Sequence, residues 1–358
     1  MDLEALYKAA EKHLLSGIAA MALESAGVHD EAFNQAKGKA IRKAALLDIE
    51  RASVLSRLEE SGIWYMPLKG CVLQAYYPKL GMRQMADNDI LYDASRREDV
   101  RKIMEELGFK TALYVLDGYS PDVYNKAPVC SFEMHPSLFT PKEDEAIFRY
   151  FLGIRDKLIK DKDNAFGYHL SPEHCYIYLI VHEYKHYSTG GTGLRSLLDT
   201  YVYCVKEGPT LDWAYISAEM GKMGLADFEA KNRRLAMALF SGEPLTKEQQ
   251  EMLDYLAISG VFGTRAVRVS NTVGKYGGGF LAKLRYVFRR IFLPMETIRS
   301  SYPLFIRCPI LFPFLPLYRL IRALTVSRAK VRSEIRALVK YRREPTEPSS
   351  SEEPPASD

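Results

Sequence analysis

Cysteine is scarce: Cys71, Cys130, Cys175, Cys204 and Cys308 are an odd number, widely spaced, with no C-x-x-C pair. This excludes a disulfide framework and a cysteine zinc site, and it points to a reducing compartment. Long apolar runs are missing too. In the basic C-terminal region the longest uncharged stretch, Cys308–Tyr318, is 11 residues interrupted by Pro309, Pro313 and Pro316, too short and too broken to span a bilayer. The opening MDLEALYKAAEKHLL has acids among its first residues and no apolar core, so no secretory signal is expected and the expected location is cytoplasmic. No nucleic-acid module is recognisable. What remains is ordinary globular material, 47% hydrophobic and 26% charged, long enough for about two or three domains.

The net charge of +4 is unevenly distributed. Residues 283–343 hold 15 Lys/Arg against Glu296 and Glu334, a local +13, whereas Glu344–Asp358 carries five acids and no base. The rest of the chain is therefore slightly acidic, and the basic character belongs to one segment. That segment interleaves Phe288, Phe292, Phe305, Phe312 and Phe314 with arginines. Two arrangements fit: a helical hairpin packed on the body with a solvated basic face, or an amphipathic anchor lying peripherally on the anionic inner face of a membrane. The tail EPTEPSSSEEPPASD has the composition of disorder.

Chemistry concentrates in Ile63–Asp93, IWYMPLKGCVLQAYYPKLGMRQMADNDILYD. Ile63–Leu68 suits a short buried strand, and Cys71–Tyr77 the first turns of a helix. Lys69-Gly70 lies between them, where backbone N–H groups can hold phosphate. In Asp87-Asn88-Asp89-Ile90-Leu91 the strand period places Asp87 and Asp89 on one face and Asn88 and Ile90 on the other. Two carboxylates on one face repel unless a cation lies between them, and oxygen-only ligation suits Mg²⁺. A second candidate strand, Val129–His135, aligns Glu133 with His135 and supplies a third carboxylate.

The order Leu68-Lys69-Gly70, Tyr77-Pro78, Arg83, Asp87-Asn88-Asp89-Ile90-Leu91 and Glu133-Met134-His135 resembles the uncharacterised bacterial nucleotidyltransferases of the polymerase-β-like superfamily. The resemblance continues through Leu170-Ser171-Pro172-Glu173, His182, Arg195…Asp199 and Gly260-Val261-Phe262-Gly263. It departs at the phosphate turn, where the superfamily has Gly-Ser or Gly-Gly and this chain has Lys69-Gly70. It implies an α+β fold: a mixed-sheet core with N-terminal helices and a larger all-helical C-terminal part. It also implies an enzyme in which two Mg²⁺ ions are held by Asp87, Asp89 and Glu133. Glu133 would take the acceptor's proton, and Lys69, Gly70 and Arg83 would hold the triphosphate of an NTP, ATP favoured. The product would be a nucleotidylated, unidentified hydroxyl acceptor, with pyrophosphate released. A non-catalytic nucleotide-binding module of the same fold is an alternative.

Elsewhere the pattern is helical. Asp2–Ala26 reads as one helix and the stretch from Gly27 to Glu60 as another, its Leu47, Val54, Leu55 and Leu58 forming a packing stripe. Ser95…Glu98 has capping-box form, with Gly108 as the C′ residue. Lys110–Leu116 and Val123–Lys126 read as strands about an Asp117-Gly118 turn. After Pro141 helices take over, one of them starting at Ser171 as N-cap with Pro172 at N1. The expected domains are 1–60, 61–140, 141–282, 283–343 and the tail 344–358. One competing motif stands out: His182-Glu183-Tyr184-Lys185-His186 matches H-E-x-x-H, the zinc metalloprotease signature. Thr189 stands where the extended motif needs Gly, and no His follows His186, so a third ligand would have to be an acid such as Glu207 or Glu219. The other reading places His182, Lys185 and Arg195 opposite the carboxylates, contacting nucleotide phosphates. A purely structural one makes His182 a buried hydrogen-bonded histidine and Arg195–Asp199 an i, i+4 pair.

Overall fold

Three helices precede the first strand: α1 (Leu3–Lys12), α2 (Ser16–Ser25) and α3 (Glu31–Glu60). The single helix expected over Asp2–Ala26 is broken at Leu14, whose φ of 52° is left-handed. The break lets His13 turn inward and accept the Leu194 amide at 3.1 Å. Asp30 caps α3 by accepting from the Phe33 amide, and α3 then lays Leu47, Val54 and Leu58 against the sheet. This computed structural model describes residues 1–293, 295, 298, 302–325 and 328–341, so the tail expected at 344–358 lies outside the described residues. Two compact units are present, Met1–Gly263 and Thr264–Asp358.

Five strands form the sheet of the first unit: β1 (Tyr65–Pro67), β2 (Asn88–Tyr92), β3 (Lys110–Leu113), β4 (Asp122–Lys126) and β5 (Cys130–His135). Their order is β1-β2-β5-β4-β3, and β2/β5 is a parallel pair among antiparallel ones. The fold is therefore α+β with a mixed sheet. Between β1 and β2 lies the short helix α4 (Gly70–Leu73); α5 (Arg97–Glu106) follows β2. The capping box expected at Ser95 does not form, because Asp93 is the cap and accepts both the Ser95 amide and its hydroxyl. Gly108 does end α5 in the left-handed region, with φ 84°.

One face of the sheet is apolar. Ile90, Tyr92, Phe132 and Met134 pack there with Leu47, Val54 and Leu58 of α3 and Val100, Ile103 and Met104 of α5. Burying side chains of this size contributes roughly 1.5–3 kcal/mol each before the entropy of ordering them. The opposite face carries Leu91 into a second core with Tyr176, Ile177 and Tyr178, which belong to α7 (Pro172–Tyr187). Ser171 caps α7 by accepting from the His174 amide, with Pro172 in the first turn.

The segment after β5 is mostly helical: α6 (Glu145–Leu152), α7, α8 (Leu194–Lys206), α9 (Trp213–Lys222), α10 (Ala226–Ser241) and α11 (Lys247–Ser259). It is not all-helical as expected. The strands β6 (Ile159–Lys160) and β7 (Tyr168–His169) pair antiparallel, and Gly167 bridges to Tyr65. Thus the exposed edge of β1 is covered, which removes a free pairing surface. In the second unit, α12 (Arg265–Lys275), α13 (Gly279–Ile291), α14 (Pro303–Arg307), α15 (Leu315–Thr325) and α16 (Arg328–Lys340) are helical. Val269, Val273, Ala282 and Tyr286 form its small core with Ala337, Leu338 and Tyr341.

Candidate active site

Register brings the acids together. In the parallel β2/β5 pair Asp89 stands opposite Glu133, and His135 lies two residues further on opposite Leu91. Period-two alternation then puts Asp89, Glu133 and His135 on one face of adjacent strands. Among the described residues these three form a group whose ligand-type atoms all lie within 4.8 Å of one another. Asp87 immediately precedes β2 and lines the same cavity. On the other face Asn88 donates to the Leu47 carbonyl at 3.0 Å and accepts from Arg51 at 3.0 Å.

Lys69 is held unusually. Its φ is 45°, a region that costs a non-glycine residue of order 1–3 kcal/mol and is found chiefly where function over-determines the backbone. The turn it makes aims Nζ at Asp89 Oδ1, 2.8 Å away, and the same oxygen meets His135 Nε2 at 2.8 Å. A carboxylate only accepts, so Nε2 carries the hydrogen and His135 orients Asp89. A Cβ on Gly70 would lie 2.6 Å from Arg83 Nη1 and 2.8 Å from Met85 Sδ, so a side chain there would displace both.

The electrostatics diverge among the acids. Burial would raise the Asp89 carboxyl, but Lys69 and His135 outweigh it and hold it below its ordinary value. Asp87 is pushed up to about 6 by burial and then by Asp89. Glu133 is pushed up to about 7 by burial and then by Asp89. Burial also disfavours the charge on Lys69, yet Asp89 overrides it and keeps the ammonium firmly protonated. Two carboxyls left electrostatically unsatisfied beside an ionised one are what a divalent cation would relieve.

Cations come from the facing helices. Lys185 Nζ is 2.8 Å from Glu143, and Arg195 donates through Nη1 to the Gln84 carbonyl at 2.7 Å while its buried Nε has no partner. His182 and His186 meet ring nitrogen to ring nitrogen at 3.2 Å. His182 is held neutral by burial and then by Lys69; the same causes lower His186 to about 4. A cavity of about 370 Å³ is lined by Lys69, Gly70, Arg83, Asp87, Asp89, Glu133, His182, Lys185 and Arg195 together, within the range of small-ligand sites.

One sequence reading needs correction. Asp199 is not the i, i+4 partner of Arg195; it takes Arg83 through Nε and Nη2, both at 2.8 Å, and the Tyr77 hydroxyl at 2.7 Å. Arg83 therefore ties α8 to the sheet side of the cavity, leaving Nη1 facing Gly70. In the H-E-x-x-H stretch Glu183 accepts from Asn232 at 2.9 Å and Thr200 at 3.3 Å. Glu219, a suggested third ligand, is bound to Lys222. Sequence reasoning also passed over residues that the fold brings in. His135 was visible on the Glu133 face but given no role, and Lys43 of α3, which acts on Asp87, had no sequence signal at all. Phe262, quoted only as part of a motif, lines the cavity.

Comparison with known proteins gives one family: residues 1–241 match the family described as "Uncharacterised nucleotidyltransferase". No curated protein matches. Among solved structures, the solution structure of the antibiotic-resistance factor ANT(2'')-Ia, described as revealing substrate-regulated conformation dynamics, matches at 14% identity. That match covers 53% of this chain and 89% of the other, with a TM-score of 0.26.

Proposed function

Because this chain belongs to the uncharacterised nucleotidyltransferase family, we propose that it moves a nucleotidyl group from an NTP, ATP favoured, to a hydroxyl acceptor. The observation that carries this reading is the facing pair Asp89–Glu133, with Asp87 beside it and a wall of cations across one cavity. Asp87, Asp89 and Glu133 are the residues to hold two Mg²⁺ ions. Such ions supply charge neutralisation at the α-phosphate and the leaving group and lower the pKa of a bound hydroxyl. The donor set fits, because Lys69 and His135 both direct their hydrogens to Asp89 Oδ1, so that Oδ2, with the carboxylates of Asp87 and Glu133, would supply the oxygen ligands.

The acceptor oxygen forms its bond to the α-phosphorus as the bond from that phosphorus to the β-bridging oxygen breaks. Pyrophosphate departs with the electron pair, and the hydroxyl proton passes to Glu133. Lys69 keeps Asp89 ionised and aimed, and the Gly70 backbone borders the phosphates. Lys185, Arg195 and His182 face the triphosphate. Arg83, with Nε and Nη2 committed to Asp199, holds this wall in register and presents Nη1 alone. Calorimetric titration tests the site: wild type is expected to bind Mg·ATP, and Asp87→Ala and Asp89→Ala to lose it. Equal binding and equal pyrophosphate release by the variants would overturn the assignment.

Residues 283–343 support peripheral contact with an anionic membrane face as the place of work. No described helix is long and apolar enough to cross a membrane. Yet α13 exposes Phe280, Leu281, Leu284, Val287, Phe288 and Ile291, a stripe at helical spacing opposite its buried Ala282 and Tyr286. Apolar stripes flanked by arginine are the pattern of helices lying in a lipid interface.

A further inference from the structure

Two phenyl or phenol rings line the cavity, Tyr119 and Phe262. Tyr119 is packed edge-on against Phe148, centroids 5.4 Å apart. Phe262 has no ring partner among the described residues and is 74% exposed. A lone exposed phenylalanine is unremarkable by itself, but this one is presented by a clamped turn. Gly260 and Gly263 have φ of 69° and 65°, and the Gly263 amide closes onto the Gly260 carbonyl at 3.0 Å. A Cβ on Gly263 would sit 2.3 Å from the Gly190 carbonyl oxygen, so the turn abuts the link between α7 and α8 and admits no side chain there. From the other side the Val261 amide donates to the Lys12 carbonyl at 3.2 Å, and Lys12 Nζ grips the Ala257 and Ile258 carbonyls at 2.8 Å each.

The backbone that carries the ring is thus clamped beside the α7–α8 link, in the cavity lining that also holds Lys185, His182 and Arg195. A triphosphate on those cations leaves its flat base in need of a surface, and Phe262 is the aromatic ring next to them, the other apolar lining there being the aliphatic Leu179 and Val261. We propose that Phe262 is the platform on which the nucleobase of the NTP stacks, a role that rests on the nucleotidyltransferase reading above. Stacking engages the π-face that every base has, so Phe262 ranks donors by ring area, purine triphosphates ahead of pyrimidine ones, and reads no hydrogen-bonding edge.

The test compares Mg·ATP with Mg·tripolyphosphate, which has the anionic chain and no base, by equilibrium binding to the full chain. Wild type is expected to bind ATP about tenfold more tightly than tripolyphosphate, and Phe262→Ala to remove that margin while leaving tripolyphosphate affinity unchanged. Phe262→Trp should restore or widen it. Unchanged ATP affinity in Phe262→Ala, or a parallel fall for both probes, overturns the stacking role while the triphosphate site stands. Failure of wild type to bind either probe overturns the triphosphate site, and the stacking role with it.

Discussion

Removing Asp199 from its buried cluster should unfold the first unit far more easily than removing an exposed acid. Arg83 is 5% and Asp199 9% exposed. Three hydrogen bonds converge on the carboxylate, two from Arg83 at 2.8 Å and one from Tyr77 at 2.7 Å. Taking one partner from a buried pair strands the other's charge, which costs about 3–5 kcal/mol. Asp199→Leu and Arg83→Met should each destabilise by that amount, whereas Tyr77→Phe, losing one bond to a charged acceptor, should cost about 1.5–3 kcal/mol. The double variant Arg83→Met/Asp199→Leu strands no charge, so its loss should fall well below the sum of the singles. The assay is urea unfolding followed by tryptophan fluorescence, because Trp64 and Trp213, the two tryptophans of the chain, both lie in the first unit. In thermal scans the singles should melt on the order of 10 °C lower. Additive costs, or single losses below about 1 kcal/mol, would refute the view that this cluster joins α8 to the sheet.

Further outcomes follow from the same geometry. Burial raises Glu183 from 4.5 to about 7; the folded value exceeds the unfolded one, so its contribution to stability is full below pH 4.5 and is lost as pH rises through 7. The lift corresponds to about 3 kcal/mol. Urea midpoints of Glu183→Gln should therefore fall less than wild type between pH 5 and pH 8, and parallel slopes would contradict the shift. His135→Ala should lower Mg·ATP turnover about 10–100-fold by releasing Asp89, with the fold intact by circular dichroism; unchanged turnover would remove His135 from the site. Full-length protein should sediment with anionic vesicles at low salt and be released toward 1 M salt, where the Debye length falls to about 3 Å. Retention in the supernatant at low salt would leave 283–343 as a packed hairpin alone.

Legibility in the sequence followed the range of the interactions. The alternation of Asp87, Asn88, Asp89 and Ile90, the cap at Ser171-Pro172 and the Gly108 stop are local, and the fold repeats them. That β2 and β5 run parallel with Asp89 opposite Glu133 is a long-range fact, which alternation within either strand cannot supply. Asp199 illustrates the limit: its sequence neighbour at i−4 is Arg195, but burial beside Arg83, 116 residues away, offers bidentate geometry. Leu14 and Lys69 adopt positive-φ backbone that no propensity assigns to them; the long-range bonds that accompany it, Leu194 to His13 and Lys69 to Asp89, exist only in the fold.

The central claim is transfer of the α-phosphoryl group with its nucleoside from an NTP to a hydroxyl. Its most direct test is incubation with Mg²⁺, cell extract and ATP labelled either at the α or at the γ phosphate. The α label should enter an acceptor while the γ label appears in pyrophosphate, and Asp89→Asn should abolish both. Transfer of the γ label to an acceptor, or incorporation of the α label unaffected in Asp89→Asn, would contradict it.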